Sequence, residues 1–143
     1  MQNYHRHTSY SEGDSAAMPE EYAKRAVELG HKVISSVEHG WQGYYHKAFE
    51  LAKEYDLKFV FGTEAYWVKD RQKEYKERDK ETGEVILNKD GTPRMNKDKS
   101  NNHIIILAKN ENGRRAINRI LSDANETGYY YKPRIDKDLL REH

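Results

Sequence analysis

Strand-like and helical segments alternate along the first half of the chain. Residues 32–37 and 57–62 are rich in β-branched or aromatic side chains and predict buried strands, and residues 4–7 predict a shorter one. Between them, residues 18–30 and 44–55 repeat apolar side chains at helical spacing. This order predicts right-handed βαβ units around a parallel sheet, which places the chain in the α/β class.

A charged segment interrupts the alternation. Residues 69–100 are dense in lysine, glutamate, aspartate and arginine, which predicts an exposed insertion. Inside it, the apolar residues 85–87 precede an Asp90-Gly91 pair. An Asp-Gly pair favours a tight turn between two strands, so we expect a small hairpin within the insertion.

Regular structure is predicted again after the insertion. Residues 103–108 predict a fourth buried strand, and residues 113–124 predict an amphipathic helix. Residues 129–133 read as an aromatic connection. Asp136 is expected to cap a last short helix that runs through Leu140.

Length and composition limit the class of protein. The 143 residues suffice for one domain, and the chain has no run of about 18 apolar residues that would span a membrane. The N-terminus lacks the apolar core of a signal peptide, and cysteine is absent, so we expect a cytoplasmic protein. Any metal site must use nitrogen and oxygen ligands. The formal net charge of +1 makes no case for nucleic-acid binding.

Two histidines stand at the end of the first predicted strand. His5 and His7 are two residues apart, and residues at that spacing point to the same side of a strand. Their imidazoles are therefore able to converge on one metal ion. The alternative is a pair of surface histidines near the terminus.

Further candidate ligands follow the later strands. His39 and Glu64 lie just past the second and third predicted strands, where ligands gather in parallel α/β proteins. His103 opens the fourth strand instead, so by these boundaries it lies at the other end. Asp14 lies in the loop after the first strand, either over the same face or as an ordinary loop residue. Glu38 either orients a ligating histidine or is a solvated strand end.

The remaining histidines and a tyrosine cluster have simpler interpretations. His31, His46 and His143 are expected to be surface residues. Tyrosines 129–131 either stack on nucleic-acid bases or pack against the domain, and packing is the preferred interpretation.

Five segments resemble the motifs of PHP (polymerase and histidinol phosphatase) domains, in order along essentially the whole chain. They are residues 5–14 (HRHTSYSEGD), 37–40 (VEHG), 61–66 (FGTEAY), 103–110 (HIIILAKN) and 128–136 (GYYYKPRID). The last segment is similar to one in the PHP domains at the N-termini of bacterial replicative DNA polymerase III alpha subunits.

The resemblance implies the N-terminal part of a distorted (β/α)7 barrel that binds up to three divalent ions, commonly zinc, manganese or iron. For a complete domain it implies metal-dependent phosphoesterase or 3′–5′ exonuclease chemistry, with no side chain assigned as nucleophile. The expected partners are the rest of a polymerase polypeptide or a complementing chain, and DNA. By motif position the metal ligands are His5, His7, Asp14, His39, Glu64 and His103, with Glu38 behind them.

The sequence departs from the family pattern in two respects. Glu38 replaces an aspartate, which lengthens the arm of that carboxylate. The later family ligands, a histidine or cysteine and a terminal Asp-x-His, have no counterpart, so residues 1–143 are expected to form a partial PHP domain. Such a chain is an N-terminal fragment, a split gene product or half of a barrel completed by another chain.

Three functions are compatible with the resemblance. The first is the PHP part of a polymerase alpha subunit with metal-binding capacity. The second is a free-standing metal-dependent phosphoesterase, and the third is a catalytically silent module that braces a larger polymerase. The segment at residues 128–136 favours the polymerase.

Overall fold

The computed structural model describes residues 4–100 and 102–143, so the first three residues of the N-terminus lie outside it. Four helices and seven strands follow one another in that part of the chain. In order they are α1 (Pro19–Glu28), β1 (Val33–His39), α2 (Tyr45–Glu54), β2 (Lys58–Trp67), β3 (Glu74–Lys76), β4 (Met95–Lys97), β5 (Asn102–Leu107), α3 (Glu111–Thr127), β6 (Tyr129–Tyr130), β7 (Lys132–Ile135) and α4 (Lys137–Glu142). The α/β class is confirmed.

Strand β2 is the centre of a five-stranded sheet. It pairs in parallel with β1 from Val33 opposite Lys58 to His39 opposite Glu64, and again in parallel with β7 at its last two residues. The predicted parallel pairing is therefore confirmed for β1 and β2, whereas β7 was not predicted as a strand. Because paired residues in a sheet point to the same face, the register alone brings His39 and Glu64 together.

The prediction of a parallel sheet is wrong for β5, which runs antiparallel to β2 with His103 opposite Tyr66. Parallel neighbours require a crossover connection, usually a helix. The described residues 68–100 form no helix between β2 and β5. The chain therefore returns alongside β2, and the first residues of β5 lie at the end where β2 stops. This explains how His103, at the start of its strand, reaches the same edge as Glu64.

The predicted strand at residues 4–7 does not form. The segment instead lies along β1 through side-chain bonds: Ser35 Oγ donates to the Tyr4 carbonyl at 2.9 Å, and the Thr8 amide donates to the Glu38 carboxylate at 3.2 Å. Side chains of β1 thus satisfy backbone groups that a strand would pair in a ladder. The two histidines of this segment still point towards the sheet.

The insertion is a mostly exposed two-stranded hairpin of β3 and β4. The expected apolar residues 85–87 take part only through isolated bridges, Arg78 with Val85 and Leu87 with Pro93, while the regular strands lie further from the turn. The predicted turn is present, since the Asn88 amide donates to the Thr92 carbonyl and Gly91 has a φ of 82°.

One face of the sheet packs against the helices. Ile34 lies against α1 and α2, whereas Ala65 lies against α3 and α4. The buried side chains of these clusters are Ala23, Ala26, Ile34, Leu51, Ala52, Ala65, Ile120, Ala124, Ile135 and Leu139. His39, Glu64 and His103 occupy alternate positions to these residues, so they project from the other face. No helix in the described residues is long and apolar enough to cross a membrane.

Candidate metal centre

Glu64 is the centre of the candidate site. Its Oε2 atom lies 2.5 Å from His5 Nε2 and 2.8 Å from His7 Nε2, and its Oε1 atom lies 2.6 Å from His103 Nδ1. The residue is only 4% exposed. A carboxylate has lone pairs on both oxygens, so one buried side chain is able to serve two neighbouring cations.

His39 and Asp14 extend the site on one side. Nε2 of His39 contacts Oδ2 of Asp14, and its Nδ1 atom lies 3.9 Å from Glu64 Oε2. That Nδ1 atom is buried and has no hydrogen-bond partner among the described residues. A buried nitrogen without a partner is energetically costly, and a bound cation between it and Glu64 would satisfy it. The donor set therefore fits a metal ion.

The six predicted ligands form three overlapping groups of three. The groups are His5, His7 and Glu64; His7, Asp14 and His39; and His39, Glu64 and His103. Within each group the ligand atoms lie within 4.8 Å of one another. Each pair of groups shares one residue, which is the pattern expected if adjacent ions share ligands. Imidazole and carboxylate donors suit zinc, manganese and iron.

The Glu64 carboxyl is held in its ionised form. Burial by itself raises its pKa, but hydrogen bonds from His5 and His103 and the nearby His39 outweigh that effect and hold the pKa below its ordinary value. An ionised carboxylate is the form that binds a cation.

Glu38 lies behind the ligands, and at 1% exposure it is more deeply buried than Glu64. It accepts hydrogen bonds from the Thr8 hydroxyl at 2.6 Å and from the Ser11 hydroxyl. Ser11 Oγ in turn lies 3.2 Å from Nδ1 of His7. Glu38 therefore reaches a candidate ligand through Ser11.

The loop after His7 brings Asp14 over the site by two consecutive turns. The Ser11 amide donates to the Thr8 carbonyl at 2.9 Å, and the Asp14 amide donates to the Ser11 carbonyl at 3.0 Å. Gly13 has a φ of 86°, a conformation that favours glycine. In the sequence, the only sign of this geometry besides the family resemblance is the Gly13-Asp14 pair.

Sequence reasoning missed the aromatic wall of the site. The Tyr66 ring stacks beside His39, with centroids 5.9 Å apart, and meets the His103 ring edge-on at 5.2 Å. Tyr10 and Trp41 also border the cleft, which has a volume of about 490 Å³. Tyr66 follows Glu64 by two residues, so strand periodicity was the signal that would have identified it.

The other histidines lie outside the three groups. His46 pairs with Glu50 on the exposed side of α2 at 3.3 Å, and His143 pairs with Asp123 at 2.6 Å. His31 belongs to none of the groups either.

The closing segment has a structural role. Asp136 caps α4, as predicted, by accepting from the Leu139 amide, and it also pairs with Arg71 at 2.5 Å. Arg134 is buried and donates to the carbonyls of Arg71, Asp98 and Gly128 at 2.7–2.9 Å. Arg71 and Asp98 lie near the two ends of the insertion, so these bonds hold both ends against β7.

The chain was compared with known proteins. The PHP domain family matches residues 3–143. DNA polymerase III subunit alpha of Aquifex aeolicus is 32% identical over 140 residues, and that of Borreliella burgdorferi is 30% identical over 139 residues. The subunit of Helicobacter pylori strain J99 is 33% identical over 139 residues.

Each of these alignments covers 97% of this chain, but only 10–11% of the relative. The chain thus spans about a tenth of the length of the curated relatives that it matches. The family match extends over nearly every residue and includes all six side chains of the candidate centre. This chain belongs to the PHP domain family.

Proposed function

We propose that the chain binds divalent ions (zinc, manganese or iron), up to three when the domain is complete, and that the complete domain hydrolyses phosphate esters with them. The supporting observation is the convergence of six nitrogen and oxygen ligands in three groups that share His7, His39 and Glu64. The proposed ligands are the six residues predicted from the sequence, with Glu38 supporting them.

Ions held by these residues would supply the positive charge that positions a phosphodiester, acidifies a water molecule and stabilises the leaving oxygen. The chain supplies the geometry for this chemistry. Glu64 presents one oxygen to His5 and His7 and the other to His103. Ser11, held by Glu38, restrains the ring of His7 through its second nitrogen, which is how outer groups orient metal-binding histidines.

The setting we propose is the N-terminal PHP part of a DNA polymerase III alpha subunit in the cytoplasm. The names of the relatives support it, as does the alignment of 97% of this chain with about a tenth of each relative. The proposed partners are the remainder of the polymerase polypeptide or a complementing chain, and DNA. The proposed substrate is then the phosphodiester at the 3′ end of a DNA strand, and the proposed fold is part of a (β/α)7 barrel.

Elemental analysis of the purified 143-residue chain tests the proposal. We expect more than one equivalent of metal for the unmodified chain, and a loss of most of it in Glu64→Ala because Glu64 serves two of the three groups. His103→Ala should remove less metal, because His103 belongs to one group only. His46→Ala is the matched control and should leave the metal content unchanged.

Absence of metal from the unmodified chain, or equal content in Glu64→Ala, would contradict the proposed metal centre. Metal binding without hydrolysis of a single-stranded oligonucleotide would instead favour the silent structural module.

A further inference from the structure

A second cleft adjoins the candidate metal centre. It has a volume of about 310 Å³, near the lower end of the roughly 300–1,000 Å³ usual for small-ligand sites. We call it the tyrosine cleft. The residues that matter in it are Tyr66, Lys99, Tyr130, Tyr131, Lys132 and Arg134. Tyr66 and Lys132 also line the cleft of the metal centre, so the two clefts are adjacent.

Tyr131 is the most exposed large hydrophobic side chain in the described part of the chain, at 76%. It occupies the turn between β6 and β7 with a φ of 60°, which costs energy for any residue other than glycine. The expectation that it packs against the domain is therefore wrong. Its ring meets Tyr130 edge-on at 4.6 Å, and most of its surface stays open to solvent. A ring held in this way is suited to stacking.

Three cationic side chains, Lys99, Lys132 and Arg134, line the same cleft as Tyr131. The Lys132 ammonium lies 4.4 Å from the centroid of the Tyr66 ring, at the boundary between the two clefts. Lys99 is exposed, with its ammonium 3.9 Å from Glu77. Arg134 is buried but bonds to neutral carbonyls, and Asp98 is the one carboxylate in the lining. The cleft therefore has an excess of positive charge next to exposed aromatic surface.

We infer that the tyrosine cleft binds one unpaired nucleoside of a single-stranded polynucleotide, with Tyr131 stacked on its base and Lys132 holding the adjacent phosphate. Every base offers a planar face to an aromatic ring, and every phosphate offers a charge to lysine. In a duplex the base faces are covered by stacking, so a duplex would not use this cleft. The inference rests on the proposed function for the identity of the reacting phosphate, which Lys132 would position towards the metal centre.

Fluorescence anisotropy with a short fluorescein-labelled oligodeoxythymidine, recorded in a chelator, tests this inference. Tyr131→Ala should weaken binding about tenfold, and Tyr131→Phe, which keeps the ring, should bind like the unmodified chain. Lys132→Ala should weaken binding because one phosphate contact is lost. For the same reason it should reduce the slope of log affinity against log salt concentration by about 0.7. Tyr131→Ala should leave that slope unchanged.

Lys73 and Tyr75 provide matched controls. The Lys73 ammonium lies 5.3 Å from the centroid of the Tyr75 ring, so they form a similar exposed pair outside both clefts. Lys73→Ala and Tyr75→Ala should therefore leave binding unchanged. Absence of binding by the unmodified chain, affinity within about twofold for Tyr131→Ala, or equal losses in these controls would overturn the inference.

The chelator separates this test from that of the metal centre. If elemental analysis finds no metal but oligonucleotide binding still depends on Tyr131 and Lys132, the proposed hydrolysis fails and the tyrosine cleft stands. If metal binds but the two substitutions change nothing, the tyrosine cleft fails and the metal centre stands.

Discussion

Gly40 directly follows His39. Because Gly40 has no side chain, the Tyr66 ring is able to lie close to its backbone. The φ of Gly40 is 67°, and a Cβ atom there would lie 2.7 Å from Cε2 of Tyr66 and 3.3 Å from Cγ of Pro133. Glycine is therefore required at this position for two separate reasons, backbone conformation and space. Gly83 in the insertion has a similar φ of 75° but open space around it.

Comparison of Gly40→Ala with Gly83→Ala separates these two effects. Gly83→Ala should cost about 1 kcal/mol of unfolding free energy from backbone strain alone. Gly40→Ala should cost about 2–4 kcal/mol, because Tyr66 or the backbone must also shift. Urea unfolding measures both values. Equal costs would show that Tyr66 does not pack against Gly40.

Glu38 accepts several hydrogen bonds with a buried carboxylate. Glu38→Gln replaces one accepting oxygen with an NH₂ group that faces the donors of Thr8 and Ser11. We expect a loss of about 1–3 kcal/mol in unfolding free energy. We also expect metal affinity about 10–100-fold weaker, because Ser11 no longer restrains His7.

Calorimetric zinc titration and urea unfolding measure the two effects of Glu38→Gln. Glu50→Gln is the control, since Glu50 is exposed on α2 and pairs only with His46 among the contacts described. If zinc affinity is the same in Glu38→Gln and the unmodified chain, Glu38 does not support the site.

At the scale of elements, β2 and the closing segment organise the molecule. Strand β2 carries Glu64 and Tyr66 and borders β1, β5 and β7, and the registers with β1 and β5 bring His39 and His103 to the site. The ion pair of Asp136 with Arg71 joins α4 to the start of the insertion. Burial by itself raises the pKa of Asp136, but bonds from the Arg71 and Leu139 amides and the Arg71 charge hold that pKa below its ordinary value.

The depressed pKa of Asp136 gives a signed pH dependence. Since the pKa is lower in the folded state, its stabilising effect is fully present above the unfolded value of about 3.9 and is lost as the pH falls through the folded pKa. Asp136→Asn should lower the unfolding free energy at neutral pH by about 3 kcal/mol and flatten the loss of stability in acid.

Denaturant unfolding between neutral and acid pH measures the dependence on Asp136. Asp138→Asn, on the exposed side of the same helix, should change stability by no more than about 0.5 kcal/mol. An acid dependence in Asp136→Asn as steep as that of the unmodified chain would contradict the account of this pair.

At the scale of the whole molecule, local patterns predicted the helices and main strands, since apolar spacing reports which side of an element is buried. The direction of β5 was not predictable in this way, because it depends on the connection through residues 68–100. Residues 4–7 also escaped prediction, because their backbone bonds go to side chains of β1. Residues 129–133 form the β6–β7 hairpin rather than a connection.

The candidate site was predictable to a different extent for each residue. His39 was predicted from a strand end, and it is the last residue of β1. The same reasoning selected Glu64, but its predicted position past a strand end is wrong, because β2 continues to Trp67 and the pairing register places Glu64 beside His39. His103 and Asp14 depended on the family resemblance, because an antiparallel strand and two loop turns bring them to the others. The spacing of Tyr66 from Glu64 was the one local sign of its role, and Lys132 has none. The three-dimensional arrangement shows that both side chains line the two clefts.

Anomalous X-ray scattering from crystals grown with zinc, recorded above and below the zinc edge, tests the metal centre most directly. We expect peaks within the groups formed by His5, His7 and Glu64, by His7, Asp14 and His39, and by His39, Glu64 and His103. A map without peaks at these positions, or with peaks only at surface histidines such as His46, would contradict the proposed metal centre.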